Sequence, residues 1–207
     1  HERLEKTGYI NMGYGDTSSR ILNHLANICE FPVNVVSLTG GVNYYLPNTR
    51  SSIFNAKLYL TPAPLLMASE DIVKAMEQEP SVKQIRHMAT LAQMSIVGIG
   101  GVDSNATLLT NGTLNHSDVL LLSMQGAVGD MLCHFIDKDG NVIQSSLERR
   151  LMSTPLEQLK EMSNSIGVAG GSTKSEAILA ALKGNYLDVL ITDETTATNV
   201  LRLKNQE

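Results

Sequence analysis

The chain has 207 residues, enough for one domain with a sizeable hydrophobic core. Hydrophobic residues make up 43% and charged residues 18% of the sequence, which is the ordinary composition of a globular protein. The formal net charge is −5, aromatic residues make up 4%, and Trp is absent. These values argue against a nucleic-acid surface, because such a surface needs a basic patch or aromatic side chains that stack on bases.

The two cysteines, Cys29 and Cys133, lie far apart in the sequence and have no metal-site spacing. We therefore expect each to be a buried thiol in a reducing cytoplasm. No apolar run approaches the roughly 18 residues of a membrane span, and no signal peptide opens the chain. These features predict a soluble, cytoplasmic protein with no membrane partner. The first residue is His1 rather than Met, which indicates a fragment or a processed chain.

In the first half of the chain, short β-rich runs alternate with amphipathic helices. The first helix should present one apolar face, formed by Ile21, Leu22, Leu25 and Ile28. Strands are predicted over residues 9–12, 33–38, 57–60 and 95–99, and they lead into glycine- or proline-containing segments at 13–18, 39–43, 61–64 and 100–101. Helices are predicted after residue 18, between the capping residue Ser69 and Pro80, and over residues 81–94.

The second half repeats the scheme after one exception, a predicted β-hairpin. Its strands are residues 131–136 and 141–143, and the Asp-Gly of residues 137–140 supplies the turn. Capping-box patterns at residues 154–157 and 173–176 then predict two helix starts. The second of these helices should bury Ala177, Ile178, Ala181 and Leu182 and end at Gly184. Strands are predicted over 166–169 and 187–191, and a last helix runs through Leu201.

Strands that alternate with helices at this spacing predict an α/β fold with a doubly wound, mostly parallel, Rossmann-like sheet. The hairpin is expected as a small antiparallel insert beside that sheet. No tandem repeat, low-complexity tract or linker divides the sequence. Residues 1–207 are therefore expected to form one domain.

The first glycine-rich loop, residues 13–18, is the most informative candidate site. It follows a strand and opens a helix, so free N–H groups and the positive end of the helix dipole should face a bound anion, which suits phosphate. A tight turn without a ligand is the alternative, since a lone glycine pattern is weak. A dinucleotide fingerprint would need a third glycine where Ser18 stands and an acid after the second strand, where the sequence has Ser37–Gly41. These differences exclude NAD.

A second candidate is the segment Gly170–Ser175, with Lys174 at a helix start. It is not a P-loop, because Thr173 stands where that motif requires glycine. A lysine in the first helical turn opposes the helix dipole unless an anion lies nearby. Lys174 therefore either pairs with a bound phosphate or hydroxyl, or is a solvated surface lysine.

Asp130 is the third candidate, at the end of the run GAVGD, residues 126–130. Its carboxylate could accept hydrogen bonds from sugar hydroxyls, or it could cap a turn. Catalytic patterns are weaker, because the five histidines show no metal-ligand spacing and no Gly-x-Ser-x-Gly elbow occurs. We therefore expect no catalytic residue, no metal and no cofactor.

Together, these segments resemble one family, the SorC-type sugar-binding transcription regulators. The resemblance covers nearly the whole chain in the family's order, and the ordered set is specific where any single run is weak. The matching runs are MGYGDT (12–17), LTGGV (38–42), PAPL (62–65), IVGIG (96–100), GAVGD (126–130), GVAGG (167–171) through Lys174, and LITD (190–193).

The resemblance implies a fold like that of sugar-phosphate isomerases and deaminases, a phosphorylated sugar as effector, and a homodimer or homotetramer. Operator DNA would be bound only through a separate N-terminal helix-turn-helix domain, which is missing from this sequence. Residues 15–18 would hold the phosphate, and Asp130, Leu132 and Lys174 would line the sugar end. The full set of expected effector-binding residues is Gly13, Tyr14, Gly15, Asp16, Thr17, Ser18, Gly40, Gly41, Asp130, Leu132 and Lys174.

The function predicted from these features is effector sensing for a regulator of a carbohydrate-utilisation operon. Two alternatives stay open. The chain could be a sugar-phosphate isomerase- or deaminase-like enzyme, which would need a carboxylate placed for proton transfer, such as Asp16 or Asp130. It could also be an assembly domain that binds no ligand.

Overall fold

The structure is a computed structural model that describes residue 5 and residues 8–41, 55–102, 107–110 and 112–206. Its strands are β1 Tyr9–Met12, β2 Val33–Gly41, β3 Ala56–Pro64, β4 Ala92–Gly101, β5 Ala127–Met131, β6 His134–Asp137, β7 Ser165–Val168 and β8 Val189–Ile191. Its helices are α1 Asp16–Ile28, α2 Glu70–Gln78, α3 Pro80–Thr90, α4 Thr107–Thr110, α5 His116–Met124, α6 Leu156–Glu161, α7 Ser175–Lys183 and α8 Glu194–Lys204. In the described part of the chain, no helix is both long and apolar enough to cross a membrane.

Six strands form a parallel sheet in the order β3-β2-β1-β4-β7-β8. Besides β1, the long strand β4 has two further partners. Its residues 95–98 pair in parallel with β7, and its residues 99–101 pair antiparallel with β5, which in turn pairs with β6. The predicted mixed α/β fold with a mostly parallel sheet is therefore confirmed.

Helices cover both faces of the parallel sheet. Since side chains alternate along a strand, β2 contributes to two separate clusters. Val35 packs in the cluster that contains Leu22 of α1. Val36 packs in the cluster that contains Leu159 of α6 and Ile178 of α7. The carboxyl ends of β1 and β4 meet between these layers, where a ligand site is expected in such a sheet.

The predicted hairpin is displaced along the chain. The two-residue turn of the β5–β6 hairpin is Leu132–Cys133, and both residues have positive φ, 52° and 69°. The Asp-Gly segment does form a turn, with Gly140 N–H donating to Asp137 O at 3.0 Å, but it leads only to an isolated bridge between Ile136 and Val142. Left-handed turns usually contain glycine or asparagine. The sequence pattern therefore indicated a turn at residues 137–140 and gave no sign of one at Leu132–Cys133.

Strand pairing also overrides local propensity at four strand ends. The helix predicted over 81–94 ends at Thr90, because Ala92 and Met94 pair with β1. β2 and β4 continue through their terminal glycines, and β3 continues through Pro64. Proline, which lacks an N–H donor, is tolerated in β3 because that strand lies at the sheet edge. Val42 and Asn43, predicted to follow β2, lie outside the described residues.

The helix starts were predicted with mixed success. Ser69 caps α2 as predicted, its Oγ accepting from Ile72 N–H. Both predicted capping boxes are wrong. Pro155 occupies the N-cap position of α6, while Thr154 Oγ1 accepts from Arg86. A short 3-10 turn over Ser172–Lys174 precedes α7, so Thr173 lies before the helix start rather than capping it.

Two apolar residues predicted to face inward are substantially exposed. Ile28 is 41% exposed at the last turn of α1, and Leu182 is 36% exposed near the end of α7. The buried surface of α7 therefore differs from the one that the sequence pattern indicated. It consists of Ser175, Ala177, Ile178, Leu179, Ala180 and Ala181.

Replacing Ile178 with alanine should lower the free energy of unfolding by about 2–5 kcal/mol, because this fully buried side chain would leave a cavity. Leu182→Ala, on the same helix, is the matched control and should cost less than about 1 kcal/mol. Urea denaturation of both variants measures the difference. Equal losses would contradict the assigned orientation of α7.

Candidate functional site

The first glycine loop joins the carboxyl end of β1 to the start of α1. Gly13 N–H donates to Ile96 O at 2.9 Å, which fixes the loop against β4. Gly15 occupies the N-cap position with φ 139°, and, having no side chain, it leaves the first-turn amides of α1 without a side-chain cap. Uncapped amides at the positive end of a helix are suited to bind an anion.

Asp16 contributes to this loop through its backbone rather than its carboxylate. The carboxylate Oδ2 accepts from Arg20 Nε at 2.8 Å on the outer side of α1, and the Asp16 and Arg20 side chains are 65% and 79% exposed. An exposed ion pair of this kind adds little stability. It does offset the negative charge of the Asp16 carboxylate beside an anion site.

A cleft of about 390 Å³ lies beside this loop. Its walls are the loop, the carboxyl end of β4, the Leu132–Cys133 turn, α4 and the start of α7. It is lined by Tyr14, Gly15, Asp16, Thr17, Ser18, Gly98, Ile99, Gly100, Leu108, Thr110, Asp130, Leu132, Cys133 and Lys174. The structure thus brings eight of the eleven predicted site residues together around one space.

The other three predicted residues, Gly13, Gly40 and Gly41, do not line the cleft. A Cβ atom on Gly13 would come within 2.8 Å of Leu132 Cδ2, so glycine here allows the turn to pack on β1. Gly40 and Gly41 pair with β3, and a Cβ on Gly40 would meet Pro64 O at 2.5 Å. These glycines allow close backbone packing around the site rather than forming its lining.

Asp130 is the central carboxylate of the cleft. It lies within β5, directly against the backbone of Gly100, where any Cβ would overlap Asp130 Oδ1. Burial raises the pKa of Asp130 from 3.8 to about 6, although the backbone N–H of Cys133 and the charges of Lys174 and His134 lower it. Cys133 N–H donates to Asp130, so Asp130 does cap the turn, which is one of the two roles considered from the sequence. Asp130 also lines the cleft, so the other role, binding a ligand hydroxyl group, stays open.

Lys174 supplies positive charge to the cleft. It is half-buried and occupies the N-cap position of α7. Within the described residues, no carboxylate oxygen lies within 4.0 Å of Lys174 Nζ. Its charge lowers the pKa of Asp130 from a greater distance. A cation at a helix start is unfavourable without an anion, and the position of Lys174 in the cleft lining leaves its predicted pairing with a ligand open.

Six lining residues were missed by sequence reasoning: Gly98, Ile99, Gly100, Leu108, Thr110 and Cys133. The first three belong to the IVGIG run, whose glycines at a strand end were the available signal. Leu108 and Thr110 lie in an Asn- and Thr-rich stretch that gave none. Cys133 was expected to be a buried thiol, and it is 3% exposed.

The cleft has limited catalytic chemistry. Burial, together with the negative charges of Asp130 and Glu148, raises the pKa of the Cys133 thiol well above its ordinary value, so this cysteine is a poor nucleophile. No histidine is among the residues that line the cleft. Among the described residues, no group of three His, Cys, Asp or Glu side chains could hold a metal ion.

Asp130→Asn should stabilise the protein in a pH-dependent way. The folded pKa of about 6 lies above the ordinary value of 3.8, so ionisation destabilises the folded state, and stability present below pH 3.8 is lost as pH rises through 6. Since asparagine cannot ionise, the variant should gain about 1–3 kcal/mol over the wild type at neutral pH. This gain should shrink as pH falls.

Urea unfolding across this pH range tests the expectation. Glu30→Gln, which removes an exposed carboxylate in a loop, is the control and should show no such trend. A difference between Asp130→Asn and the wild type that stays constant with pH would contradict the assigned environment of Asp130.

Comparison with known proteins gives concordant results. Residues 1–202 match the model of the family described as "Putative sugar-binding domain". The transcriptional regulator LsrR of Klebsiella pneumoniae is 35% identical over 204 residues, which are 97% of this chain and 63% of that protein. The chain thus spans less than two thirds of the length of this relative.

Solved structures show the same fold. A DeoR family transcriptional regulator from Listeria monocytogenes has a TM-score of 0.84 at 21% identity, covering 96% of this chain and 81% of that chain. The full-length sorbitol operon regulator SorC from Klebsiella pneumoniae has a TM-score of 0.77 at 24% identity, covering 96% of this chain and 67% of that chain. The resemblance to SorC-type regulators is confirmed, and the chain belongs to their sugar-binding domain family.

Proposed function

We propose that the chain is the effector-binding domain of a bacterial transcription regulator that senses a phosphorylated sugar and controls a carbohydrate-utilisation operon. The observation that carries the proposal is the composition of one cleft. It combines the uncapped start of α1, the half-buried Lys174 and the carboxylate of Asp130. Its volume of about 390 Å³ falls in the range of about 300–1,000 Å³ typical of small-molecule sites.

The phosphate group would bind at residues 15–18. Backbone N–H groups at the start of α1 donate to anionic oxygens, and the helix dipole adds favourable charge. Ser18 and Thr17 line the same end of the cleft. Asp130, Leu132 and Lys174 would form the sugar end, where Lys174 and Asp130 bind hydroxyl groups and Leu132 limits the available space. Gly13 would support this site from beneath the Leu132–Cys133 turn, and Gly40 and Gly41 would support it from β2.

We also propose that the sheet is doubly wound and Rossmann-like, as in sugar-phosphate isomerases and deaminases. The parallel strand order and the helices on both faces support it. A shared fold does not establish a shared reaction. We infer that the chain has no catalytic activity, since no histidine lines its cleft and its second carboxylate, Asp16, is paired with Arg20.

One observation favours the enzymatic alternative. The pKa of about 6 for Asp130 is a property found in general acids and bases. Asp16, the other carboxylate in the lining, is paired with Arg20 on an exposed surface, so it is badly placed to act with Asp130. If the enzymatic alternative is correct, the pure protein should steadily convert a bound sugar phosphate, and NMR would detect the product.

The longer regulator would bind operator DNA in the cytoplasm through a separate N-terminal domain, as the greater length of the LsrR relative supports. This chain would supply effector sensing and self-association into a homodimer or homotetramer. Effector binding would then shift the assembly between arrangements with different operator affinity.

Lys174→Ala should weaken binding of a phosphorylated sugar by about 1.5–3 kcal/mol, because a charge-assisted hydrogen bond is lost. The measurement is a thermal-shift panel of ribose 5-phosphate, fructose 6-phosphate and glucose 6-phosphate, followed by calorimetry on any sugar phosphate that binds. Lys204→Ala, at the exposed end of α8, is the control and should bind normally. If the unphosphorylated sugars bind as well as their phosphates, the site is not an anion site.

The chain alone should not bind operator DNA with useful affinity. Its net charge of −5 repels the phosphate backbone, and its sequence has no long run of Lys and Arg that could offset this repulsion. Gel-shift titration against the operator of the longer regulator measures this. Salt-sensitive, submicromolar binding by this chain would refute the proposal that only the separate N-terminal domain binds operator DNA.

A further inference from the structure

The turn that closes the cleft has an unusual backbone. Leu132 and Cys133 both adopt left-handed conformations, with φ of 52° and 69°. Residues other than glycine, asparagine and aspartate seldom take this backbone conformation, and they keep it only where neighbouring groups fix it. The position of Leu132 in the cleft therefore depends on what holds the turn.

Two contacts with neighbouring residues hold the turn. Asp130 accepts a hydrogen bond from Cys133 N–H. The Leu132 side chain packs over Gly13, where a Cβ atom would come within 2.8 Å of Leu132 Cδ2. Both contacts involve residues of the effector site itself.

A third contact holds the turn from behind. Ser153 Oγ donates to Leu132 O at 2.7 Å, and Ser153 is only 4% exposed. Ser153 does not line the cleft. Next to it, Thr154 O accepts from His134 Nε2 at 3.0 Å, which ties the same segment to the first residue of β6.

The segment that carries Ser153 is itself fixed to the parallel sheet and to α3. Met152 O accepts from Gly40 N–H at 2.6 Å, and Thr154 N–H donates to Leu38 O at 2.8 Å. Arg86 of α3 donates to Ser153 O at 2.9 Å. Ser153 therefore presents its hydroxyl from a rigid support, whereas the turn has two residues in a disfavoured conformation.

We propose that Ser153 is a positioning residue of the effector site, which fixes the Leu132–Cys133 turn over the cleft through its hydrogen bond to Leu132 O. It acts on the effector through Leu132 and makes no contact with the ligand. The predicted effect of Ser153 on effector binding rests on the proposed function. Its effect on the turn can be measured without any ligand.

Thiol labelling provides the ligand-free measurement. Cys133 lies in the turn and Cys29 at the end of α1, and both are buried, at 3% and 8% exposed. Labelling by iodoacetamide, followed by peptide mass spectrometry, gives the labelling rate of each cysteine in the same molecule, which rises with the fraction of time that the cysteine is exposed. Ser153→Ala should label Cys133 about 5- to 30-fold faster, the effect expected when a buried carbonyl loses its partner. Cys29 should change much less.

Ser165→Ala is the matched control. Ser165 is also buried, and its Oγ donates to a backbone carbonyl, Leu159 O, at 3.1 Å, but it lies at the opposite end of the sheet. It should leave the ratio of Cys133 to Cys29 labelling unchanged. If Ser153→Ala accelerates both cysteines equally, or neither, the positioning role is refuted.

A second pair of variants removes the dependence on how well Ser153→Ala folds. Ser153→Thr and Ser153→Val have nearly the same shape and differ in the hydroxyl group. The threonine variant should keep the wild-type labelling ratio, and the valine variant should raise it. Equal ratios in the two variants would overturn the proposal.

The binding consequence is measured with the sugar phosphate of the panel that stabilises the wild type most. Ser153→Ala should weaken its affinity about 3- to 10-fold, in line with the loss of one buried hydrogen bond, and Ser165→Ala should not. If no sugar phosphate binds the wild type, the proposed function fails while the labelling ratios still decide the role of Ser153. Normal affinity in Ser153→Ala would refute its role in the site.

Discussion

The divided pairing of β4 is the constraint on which the rest of the structure depends. One half of this strand continues the parallel sheet to β7, and the other half turns antiparallel to β5. The parallel half joins β4 to β7, and the chain after β7 leads to the start of α7, which carries Lys174. The antiparallel half joins β4 to β5, which carries Asp130 and leads into the Leu132–Cys133 turn. Loss of either pairing would remove one wall of the cleft.

The charges of the cleft follow from this geometry. Burial against Gly100 makes the Asp130 carboxylate costly to ionise, and the Lys174 ammonium partly compensates. The start of α1 adds backbone donors without a side-chain charge. One cleft therefore combines backbone donors at the start of a helix, a lysine and a buried carboxylate.

The sequence predicted the features that depend on neighbouring residues, such as the β1 strand, the Ser69 cap and the glycine loop before α1. It failed where distant pairing decides the outcome. Residues 92–94 have a helical pattern but pair with β1, and Leu132–Cys133 forms a turn that neither residue favours alone. Eight of the eleven expected site residues line one cleft. Most of them belong to motifs that follow strands, and the carboxyl ends of parallel strands lie at the same edge of the sheet. Leu108 and Thr110 carry no such signal, since only the tertiary fold brings α4 to the cleft.

The contact between Gly100 and Asp130 also bears on how such a domain can vary during evolution. The carboxylate occupies the space in which any side chain at position 100 would begin. A side chain at position 100 would require the Asp130 carboxylate to turn away from β4 or position 130 to carry a smaller residue. The residue at position 100 therefore sets where the acidic group of the cleft can lie, and we expect the two positions to be correlated among homologous domains.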